Sequence, residues 1–355
     1  MKRMSLSEGI SVTRSEQPPN AVTIFDVARE AGVSYATVSR VLNNKAHVKP
    51  EKREAVLRAT TSLGYVVNQQ ARSLAGGRSY VIGLLVHGLG NSYMGAIVRG
   101  IDEALDAAQY DLMLYTTHRR KTKESAYVAA ITRGLTDGLL LVLPRNPATY
   151  LASLRRQQFP YILIDHQGLG DYHHSVGATN FQGAYAATRH LIELGHRRIG
   201  FITGALELGC AVDRLAGYRA ALTEFGIPID PVMIQEGDFF QPQGFAGANA
   251  LLNLPERPTA IFASNDEMAF GVMEAARVQG LRLPEDLSVI GFDDIPWAAN
   301  VYPPLTTVRQ PLAQMGRVAA ETLLKLINDP QFVVERIVLP TELVIRQSCR
   351  SRAAP

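Results

Sequence analysis

Residues 23–42, TIFDVAREAGVSYATVSRVL, decide the first part of the fold because they have the pattern of a helix-turn-helix. Thr23 with Asp26 three residues later is a capping-box pattern, which predicts a helix start. One apolar stripe follows on that helix, formed by Ile24, Val27 and Ala28. Gly32 then provides the backbone freedom that a tight turn requires. The stretch therefore predicts a short helix that ends in a turn at Gly32.

A second short helix is predicted directly after this turn. Ser34 is a suitable N-cap for it. Its apolar stripe, which would face the first helix, consists of Val38, Val41 and Leu42. The residues left on the outside are Tyr35, Ala36, Ser39 and Arg40. Hydroxyl, methyl and guanidinium groups at the start of such a helix suit base reading in a major groove, although an ordinary helical hairpin has the same spacing.

The following residues favour a DNA-binding unit over a plain hairpin. Pro50 and Glu51 suit the first turn of a third helix, whose buried face would contain Ala55, Val56, Ala59 and Leu63. Residues 21–78 contain nine Lys or Arg and four Asp or Glu, a balance of +5 in a chain whose net charge is +3. The basic charge is thus concentrated where phosphates would lie.

Several separated blocks resemble the lactose-repressor (LacI/GalR) family of transcription factors. They extend from about Val22 to Arg346, and they read VTIFDVAREAGVSYATVSRVLNN, NQQARSLAGGRSYVIGLLV, HLIELGHRRIGFITG, DRLAGYRAAL, PTAIFASNDEMAFGVMEAA, LSVIGFDD and LTTVRQP. A match over several blocks is more specific than any single motif. It implies a DNA-binding head, a hinge and an effector-binding body.

The residue types in the head suggest which of them contact DNA. In the head these are Thr23, Ser34, Tyr35, Ala36, Thr37, Ser39, Arg40, Asn43 and Lys52. Arg40 is expected at base edges with Tyr35 and Ala36 setting preference, whereas Ser34, Thr23 and Lys52 suit phosphates.

The hinge, residues 68–78, is too short for a stable isolated helix and reads as a flexible linker without DNA. The resemblance implies that it folds as a helix over DNA, with Ala71 and Leu74 in the minor groove and Leu74 as a wedge. Val67 stands where many relatives have proline, so the entry to the hinge is expected to be less rigid.

Composition limits the remaining possibilities. The chain has 355 residues and is 46% hydrophobic, enough for two or three domains with sizeable cores. Residues 1–20 read as a flexible leader without a signal peptide, which predicts a cytoplasmic protein. No apolar stretch is long enough to span a bilayer. Cys210 and Cys349 fit neither a metal cluster nor a disulfide framework, which suits a reducing compartment.

From residue 80 onward, short apolar runs alternate with amphipathic stretches. Candidate strands are 81–86, 111–115, 138–143, 161–165, 198–203, 232–236, 260–263 and 287–292. Candidate helices include 93–108, 181–194, 214–225, 267–279 and 315–327. This alternation predicts an α/β body of doubly wound parallel sheets. The expected fold is thus a small all-α helix-turn-helix head plus a two-lobed, periplasmic-binding-protein-like body.

The resemblance implies that the chain crosses between the lobes three times. The predicted domains are a flexible leader at 1–20, a helix-turn-helix domain at 21–67 and a hinge at 68–78. The N-terminal lobe is expected at 79–179 and 309–338, and the C-terminal lobe at 180–308 and 339–350.

Doubly wound lobes bind ligands at the carboxyl ends of their strands, where this chain has polar residues. By resemblance, the main effector contacts are Asp165, Arg214, Asn265 and Asp293, and the residues lining the same cleft are Tyr93, Met94 and Phe239. Carboxylates, an amide and a guanidinium suit vicinal hydroxyls, and an aromatic face can stack on a sugar. Each of these positions alone can also be a turn or a cap, and we expect Asp266 to cap its helix. Leu208 and Cys210 replace the Arg and Thr of the purine-binding branch, which favours a carbohydrate.

Enzyme and transport functions are disfavoured. Gly88 and Gly90 resemble the opening of a dinucleotide fingerprint, but Tyr93 occupies the third glycine position. No cofactor or metal is predicted, and the pair His173 and His174 is expected to be solvated. A transport protein would need an export signal.

The predicted function is a homodimeric regulator that reads a palindromic operator and responds to a sugar. Effector binding is expected to release DNA, as in an inducible repressor, with a corepressor as the alternative. No heptad tail follows the body, which favours a dimer over a tetramer.

Overall fold

The computed structural model describes residues 22–42, 48–65, 78–118, 120, 123–145, 147–166 and 174–352. The chain falls into two compact units, which divide between residues 77 and 78. We call the first unit the head and the second the body. The predicted leader lies outside the described residues, as does the hinge except for Arg78. No helix in the described segments is long and apolar enough to cross a membrane.

The head consists of three short helices around a small aliphatic core. Its helices are α1 (Ile24–Glu30), α2 (Tyr35–Leu42) and α3 (Pro50–Ser62). The buried core residues are Val27, Ala28, Val38, Val41, Val56 and Ala59. Gly32 has a φ of +62°, in the left-handed region that favours glycine, as expected for the turn between α1 and α2. The predicted helices and their buried stripes are therefore observed.

One lobe of the body, which we call the N-terminal lobe, contains a six-stranded parallel sheet in the order β11-β5-β4-β3-β1-β2. Its strands are β1 (Val81–Val86), β2 (Asp111–Thr116), β3 (Gly138–Val142), β4 (Tyr161–Ile164), β5 (Ser175–Ala178) and β11 (Ile337–Leu339). Its helices are α4 (Ser92–Ala107), α5 (Lys123–Ile131), α6 (Ala148–Arg156) and α11 (Leu312–Asn328). Strands β1 and β3 are buried along their whole length, as expected for parallel strands covered on both faces.

The other lobe, the C-terminal lobe, contains a four-stranded parallel sheet in the order β7-β6-β8-β9. Its strands are β6 (Ile199–Ile202), β7 (Ile234–Gln235), β8 (Ala260–Ala263) and β9 (Ser288–Ile290). Its helices are α7 (Asn180–Glu193), α8 (Gly209–Glu224), α9 (Gln241–Leu252) and α10 (Asp266–Val278). A further antiparallel pair, β10 (Thr307–Arg309) with β12 (Glu342–Val344), lies where the chain returns between the lobes.

Some local predictions were wrong. The predicted strand at 232–236 is a 3-10 turn, Pro231–Met233, followed by the two residues of β7. Helix α8 begins at Gly209, not near 214, so that Gly209 and Cys210 belong to its first turn. The short strands β5, β10, β11 and β12 were not predicted, because three or four residues carry too little periodicity to show pairing.

The predicted cap of α10 was also wrong. Asn265, not Asp266, is the N-cap, and its side chain accepts a hydrogen bond from the Met268 backbone N–H at 3.0 Å. Asp266 lies inside the helix and is fully buried. Its carboxylate accepts hydrogen bonds from the Thr307 hydroxyl at 2.5 Å and the Ile295 backbone N–H at 2.8 Å. Asp266 therefore joins α10 to two neighbouring segments.

Candidate functional site

The start of helix α1 is held by the predicted capping pair. The Asp26 carboxylate accepts hydrogen bonds from the Thr23 backbone N–H at 2.9 Å and from its hydroxyl at 2.6 Å. These bonds, the hydroxyl bond first, lower the pKa of Asp26. A carboxylate in the first turn is also favourable for the helix dipole. Thr23 thus sits exposed at a helix N-terminus, where backbone N–H groups suit phosphate contact.

The start of helix α2 presents the predicted reading residues outward. The Ser34 hydroxyl accepts a hydrogen bond from the Thr37 backbone N–H at 3.3 Å, which is the predicted N-cap bond. Tyr35, Ala36 and Arg40 are exposed, and Tyr35 stacks on Phe25 with ring centroids 5.3 Å apart. Phe25 is exposed as well, so the two rings form an exposed aromatic pair beside the N-terminus of α2.

The other residues predicted to contact DNA differ in their exposure to solvent. Thr37 and Ser39 are partly buried, whereas Lys52 is exposed in the first turn of α3. The remaining three lie outside the described residues: Asn43, Ala71 and Leu74.

In the body, the seven predicted effector residues line one cavity of about 180 Å³. They are Tyr93, Met94, Asp165, Arg214, Phe239, Asn265 and Asp293. They come from both lobes and from positions just after β1, β4, β6, β7, β8 and β9 or in the helices that follow. The strand ends converge here because parallel strands in each lobe point their carboxyl ends toward the cleft.

On the N-terminal-lobe side, Asp165 is the central polar group. It accepts a hydrogen bond from the Tyr93 hydroxyl at 2.6 Å and one from the Asn180 amide at 3.4 Å. Burial raises the pKa of Asp165, while Arg214, Tyr93 and Asn180 oppose that rise. Burial and the nearby Asp165 raise the pKa of Tyr93, so its hydroxyl remains a donor. Asp165 is therefore held in place with acceptor capacity left for a ligand.

On the C-terminal-lobe side, a buried pair of Arg214 and Asp293 forms the floor. Arg214 donates from Nε to the Asn180 side chain at 2.8 Å and from Nη1 to the Ser264 carbonyl at 2.6 Å. Its Nη1 lies 3.5 Å from Asp293 Oδ1, and the guanidinium lies 3.8 Å from the centroid of the Phe292 ring. Burial opposes the charge on Arg214, but Asp293 and the other acidic groups outweigh it and raise the pKa of Arg214. Arg214 is therefore a fixed cation.

The buried Asp293 carboxylate is held by contacts with two side chains. It accepts a hydrogen bond on Oδ1 from the Gln310 amide at 2.8 Å, in addition to its contact with Arg214. Burial raises the pKa of Asp293 to about 7, although Arg214 and Gln310 favour the carboxylate. No described residue donates to its Oδ2. This oxygen is available to a ligand that offers a hydroxyl.

Phe239 and Asn265 complete the C-terminal-lobe wall. The Asn265 amide donates to the Phe239 carbonyl at 3.1 Å, and its carbonyl oxygen is used in the helix cap described above. The Phe239 ring lies against Gly204, where any added Cβ would be 1.9 Å from the ring. The missing side chain at Gly204 thus lets the aromatic ring reach its position in the cavity.

Backbone strain is concentrated around this cavity. Among the described residues, nine non-glycine residues have a positive φ, and four of them line the cavity. They are Leu143, Asp165, Phe239 and Asp293, and Asp293 has a φ of +115°. Such conformations cost energy and cluster at functional sites. This distribution supports the cavity as the functional site of the body.

Four polar residues that line the cavity or hold its lining residues were not predicted from the sequence. Asn180 bridges Asp165 and Arg214 from the first turn of α7, and Gln310 follows β10. His87 and Arg145 line the cavity from the ends of β1 and β3. His87 and Arg145 could have been predicted, because each is a polar residue that follows a predicted strand. Asn180 and Gln310 follow β5 and β10, and these strands are too short to be predicted from the sequence, so this signal was missing for both residues.

No group of three or more His, Cys, Asp or Glu side chains that could hold a metal occurs in the described part of the chain. Cys210 lies buried in the cavity wall beside Leu208. The wall near these two residues is therefore apolar.

Comparison with known families gives two matches. Residues 23–68 match bacterial regulatory proteins of the lacI family, and residues 188–349 match the periplasmic binding protein-like domain. The first match covers the helix-turn-helix, and the second covers most of the C-terminal lobe.

Similar proteins of known function are transcriptional regulators. The chain is 35% identical over 330 residues to catabolite control protein A of Priestia megaterium, covering 93% of this chain and 99% of that protein. It is 36% identical over 330 residues to the ribose operon repressor of Haemophilus influenzae, with the same coverage of 93% and 99%. It is 37% identical over 328 residues to the transcriptional repressor PurR of Erwinia tasmaniensis, covering 92% of this chain and 96% of that protein.

Solved structures with the same fold include regulators bound to ligands. The lac repressor dimer bound to operator and the anti-inducer ONPF superposes with a TM-score of 0.83 at 32% identity, covering 93% of this chain and 100% of that chain. The complex of the transcriptional regulator CelR with cellobiose gives a TM-score of 0.70 at 34% identity, covering 92% and 100%. The predicted fold class is confirmed, as is the prediction of a transcriptional regulator and not an enzyme.

Proposed function

This chain belongs to the lacI family of bacterial regulatory proteins, and from that premise we propose that it is a repressor released from a palindromic operator when a monosaccharide binds between its two lobes. The observation that supports this most directly is the shared cavity of Asp165, Arg214, Asn265 and Asp293. Named relatives include a ribose operon repressor and a regulator in complex with cellobiose. Carbohydrate-utilisation genes are therefore the proposed targets.

The size of the cavity favours a single ring. A dry cavity of about 150 Å³ holds benzene, a single ring of six carbon atoms. The volume here, about 180 Å³, is close to that value. A monosaccharide therefore fits better than a disaccharide.

The chemistry of the cavity favours hydroxyl groups. Asp165 and Asp293 offer acceptor oxygens, and the Phe239 ring offers an apolar face. Arg214, already bonded to Asn180 and Ser264, fixes the polar floor without needing the ligand to be an anion. Leu208 and Cys210 present an apolar wall where a purine would need hydrogen-bonding partners. A neutral sugar is thus the favoured effector, and a purine corepressor is the alternative.

The exposed face of helix α2 is the proposed reader of the major groove. Arg40 would donate to guanine, and Ala36 would contact a thymine methyl. Tyr35, stacked on Phe25, would set much of the preference. Thr23, Ser34 and Lys52 would hold phosphates, which position the head without reading sequence. Thr37, Ser39 and Asn43 are proposed to contribute further contacts at the same surface.

Coupling between effector and DNA is proposed to run through the hinge, residues 68–78. Closure of the lobes on a sugar would shift the hinges of two chains and disfavour the state in which Leu74 wedges between base pairs, with Ala71 beside it in the minor groove. The effector and the operator would then oppose each other, as reciprocity between two linked sites requires.

A two-fold dimer is proposed because a palindrome needs two heads. The C-terminal lobe has an exposed aromatic face that suits a second copy of this chain: Tyr302 is 92% exposed and Trp297 is 62% exposed, beside Phe270 and Val301. An apolar face of this kind marks an interaction surface. The similar lac repressor was crystallised as a dimer. The protein is proposed to work in the cytoplasm, where its operator lies.

The test is a thermal-shift screen of the full chain with single monosaccharides, cellobiose, hypoxanthine and guanine, repeated on palindromic DNA from upstream of its own gene. A ligand that binds only the folded state raises the melting temperature by mass action. We expect one monosaccharide to raise it and to weaken DNA binding measured by fluorescence anisotropy. A purine that tightens DNA binding would replace the inducible repressor with a corepressor-dependent one.

Two variants locate the proposed sites. Asp293→Ala should remove the response to the sugar while leaving DNA binding intact, and the exposed Glu236→Ala serves as a matched control outside that cavity. Leu74→Ala should weaken operator binding and reduce DNA bending. An unchanged bend and affinity in Leu74→Ala would exclude the wedge, and a fully responsive Asp293→Ala would exclude the proposed cavity contact.

A further inference from the structure

One ion pair joins the two lobes at the edge of the effector cavity. Arg145 follows β3 in the N-terminal lobe, and Glu207 lies between β6 and α8 in the C-terminal lobe. Arg145 Nη1 and Glu207 Oε1 are 3.0 Å apart. The pair can form only when these two segments of different lobes are close together.

The backbone of Arg145 is anchored by the buried carboxylate of Glu124. The Arg145 backbone N–H donates to Glu124 Oε1 at 3.1 Å, and the Tyr150 hydroxyl donates to Glu124 Oε2 at 3.3 Å. Glu124 is only 1% exposed. These bonds anchor the backbone from which the Arg145 side chain extends to Glu207 of the opposite lobe.

The pair also forms part of the cavity boundary. Arg145 lines the effector cavity, and so do Leu208 and Cys210, which lie next to Glu207 in the chain. On its other side the pair borders a second, more open pocket with Glu236 and Asp238. The Arg145 side chain is 16% exposed and that of Glu207 35% exposed. Partial burial of this kind strengthens an ion pair relative to one in bulk water.

We propose that Arg145 and Glu207 form an electrostatic latch that holds the two lobes closed over the cavity. Opening the cleft separates the two charges, so that the latch favours the closed state before and after a ligand enters. This consequence rests on the proposed function: because the latch holds the lobes closed over a bound sugar, it would slow the release of that sugar. The closing action itself does not depend on which ligand binds.

The buried thiol of Cys210 provides a native reporter of cleft opening. Cys210 is 1% exposed in the cavity wall, so a thiol reagent reaches it when the lobes separate or the protein unfolds, and the melting temperature of each variant distinguishes the two. The other cysteine, Cys349, is replaced by alanine in every protein of the test. Labelling by N-ethylmaleimide, followed by intact-mass measurement, then reports one site. Its rate scales with the fraction of open molecules.

Charge reversal tests the latch. We expect Glu207→Arg and Arg145→Glu each to label about fivefold faster than the parent, a change equivalent to about 1 kcal/mol. The double reversal should restore the pair and return the rate to within about twofold of the parent. The control Glu236→Arg makes the same change of charge beside the same opening, and no ion pair to Glu236 occurs among the described residues. Its labelling rate should stay at the parent level.

Salt gives a second measurement. Raising sodium chloride from about 0.05 M to 1 M should speed labelling of the parent, because screening weakens a partly exposed ion pair. The same change should have little effect on Glu207→Arg. The neutral variants Glu207→Gln and Arg145→Gln, with melting temperature measured alongside, replace either reversal that fails to fold.

Equal labelling rates in the parent and both single variants would overturn the latch. So would a double reversal that labels as fast as the single variants, because the two charges would then act independently. Neither measurement uses an effector. A failed sugar screen with a rescued double reversal would reject the proposed function and leave the latch standing.

Discussion

The head and the body place their functional residues in opposite environments. In the head, the core is a set of small aliphatic side chains, and Tyr35, Ala36 and Arg40 project into solvent. In the body, Asp165, Arg214, Asn265 and Asp293 are all buried and are bonded into the fold. The proposed base-reading residues Tyr35, Ala36 and Arg40 thus lie outside the core of the head, whereas the proposed effector contacts are part of the packed interior of the body. Substitutions of these buried effector contacts should therefore destabilise the body, whereas substitutions of the exposed base-reading residues should leave the stability of the head nearly unchanged.

The largest expected difference comes from the same substitution in both regions. At pH 8, where Asp293 is ionised, Arg214→Met should lower the free energy of unfolding of the body by about 3–5 kcal/mol, because it leaves this buried carboxylate without its cation. Arg40→Met should change the stability of the head by less than about 0.5 kcal/mol while weakening DNA binding. Urea unfolding followed by circular dichroism measures both. A decrease of less than about 1 kcal/mol in the free energy of unfolding of Arg214→Met would contradict the expected difference between the body and the head.

The next effect is the pH dependence of the body. Burial raises the pKa of Asp293 from 3.8 to about 7, so the folded chain holds a proton that the unfolded chain releases. This stabilisation is fully present below pH 3.8 and is lost as pH rises through about 7, with a slope of up to about 1.4 kcal/mol per pH unit. Burial raises the pKa of Asp165 and Asp266 as well, which adds to the same trend.

Urea titrations between pH 5 and pH 8 measure this slope. Asp293→Asn, which cannot titrate, should show a shallower decline than the parent. Equal slopes in the two proteins would mean that Asp293 titrates in the folded chain as it does in the unfolded one.

A substitution in the core of the head tests whether the head can lose stability without affecting the body. Val38 is fully buried in a core of six small residues. Val38→Ala should destabilise the head by about 2 kcal/mol through lost transfer energy and an unfilled cavity. Since so small a unit has little stability in reserve, DNA binding should fall while the response of the body to ligand is retained.

The matched substitution in the body is Val272→Ala, also at a fully buried valine. Its local cost should be similar, but the larger core should keep the body folded, and DNA binding should persist. Calorimetry of both variants, together with operator anisotropy, would show whether the two units respond separately. A loss of ligand response in Val38→Ala would contradict that expectation.

The smallest predicted effect has the opposite sign from that of Asp293. The Thr23 hydroxyl and backbone N–H lower the pKa of Asp26 below 3.8. Its stabilisation of α1 is therefore present above pH 3.8 and is lost as pH falls through the lower folded value. Asp26→Asn should make the helicity of the head less sensitive to acid, as measured by circular dichroism between pH 2 and pH 5.

The sequence by itself determined the elements whose signals are local. The Thr23 and Asp26 pair, the turn at Gly32 and the apolar stripe of α2 placed the head helices because capping, left-handed backbone and helical period each involve only a few neighbouring residues. The polar residues that follow long apolar strands were visible for the same reason. Family resemblance then indicated which of them share one cleft.

Only the tertiary structure decided which residues complete that cleft and how each polar group is used. Asn180 contacts Asp165 and Arg214 from the start of α7, and Gln310 reaches Asp293 from the segment that follows β10. Arg145 meets Glu207 only because two lobes approach each other. These partners are 15 to 62 residues apart in the chain, so no local pattern specifies them. Burial and strand pairing set these contacts, and both depend on the whole folded chain.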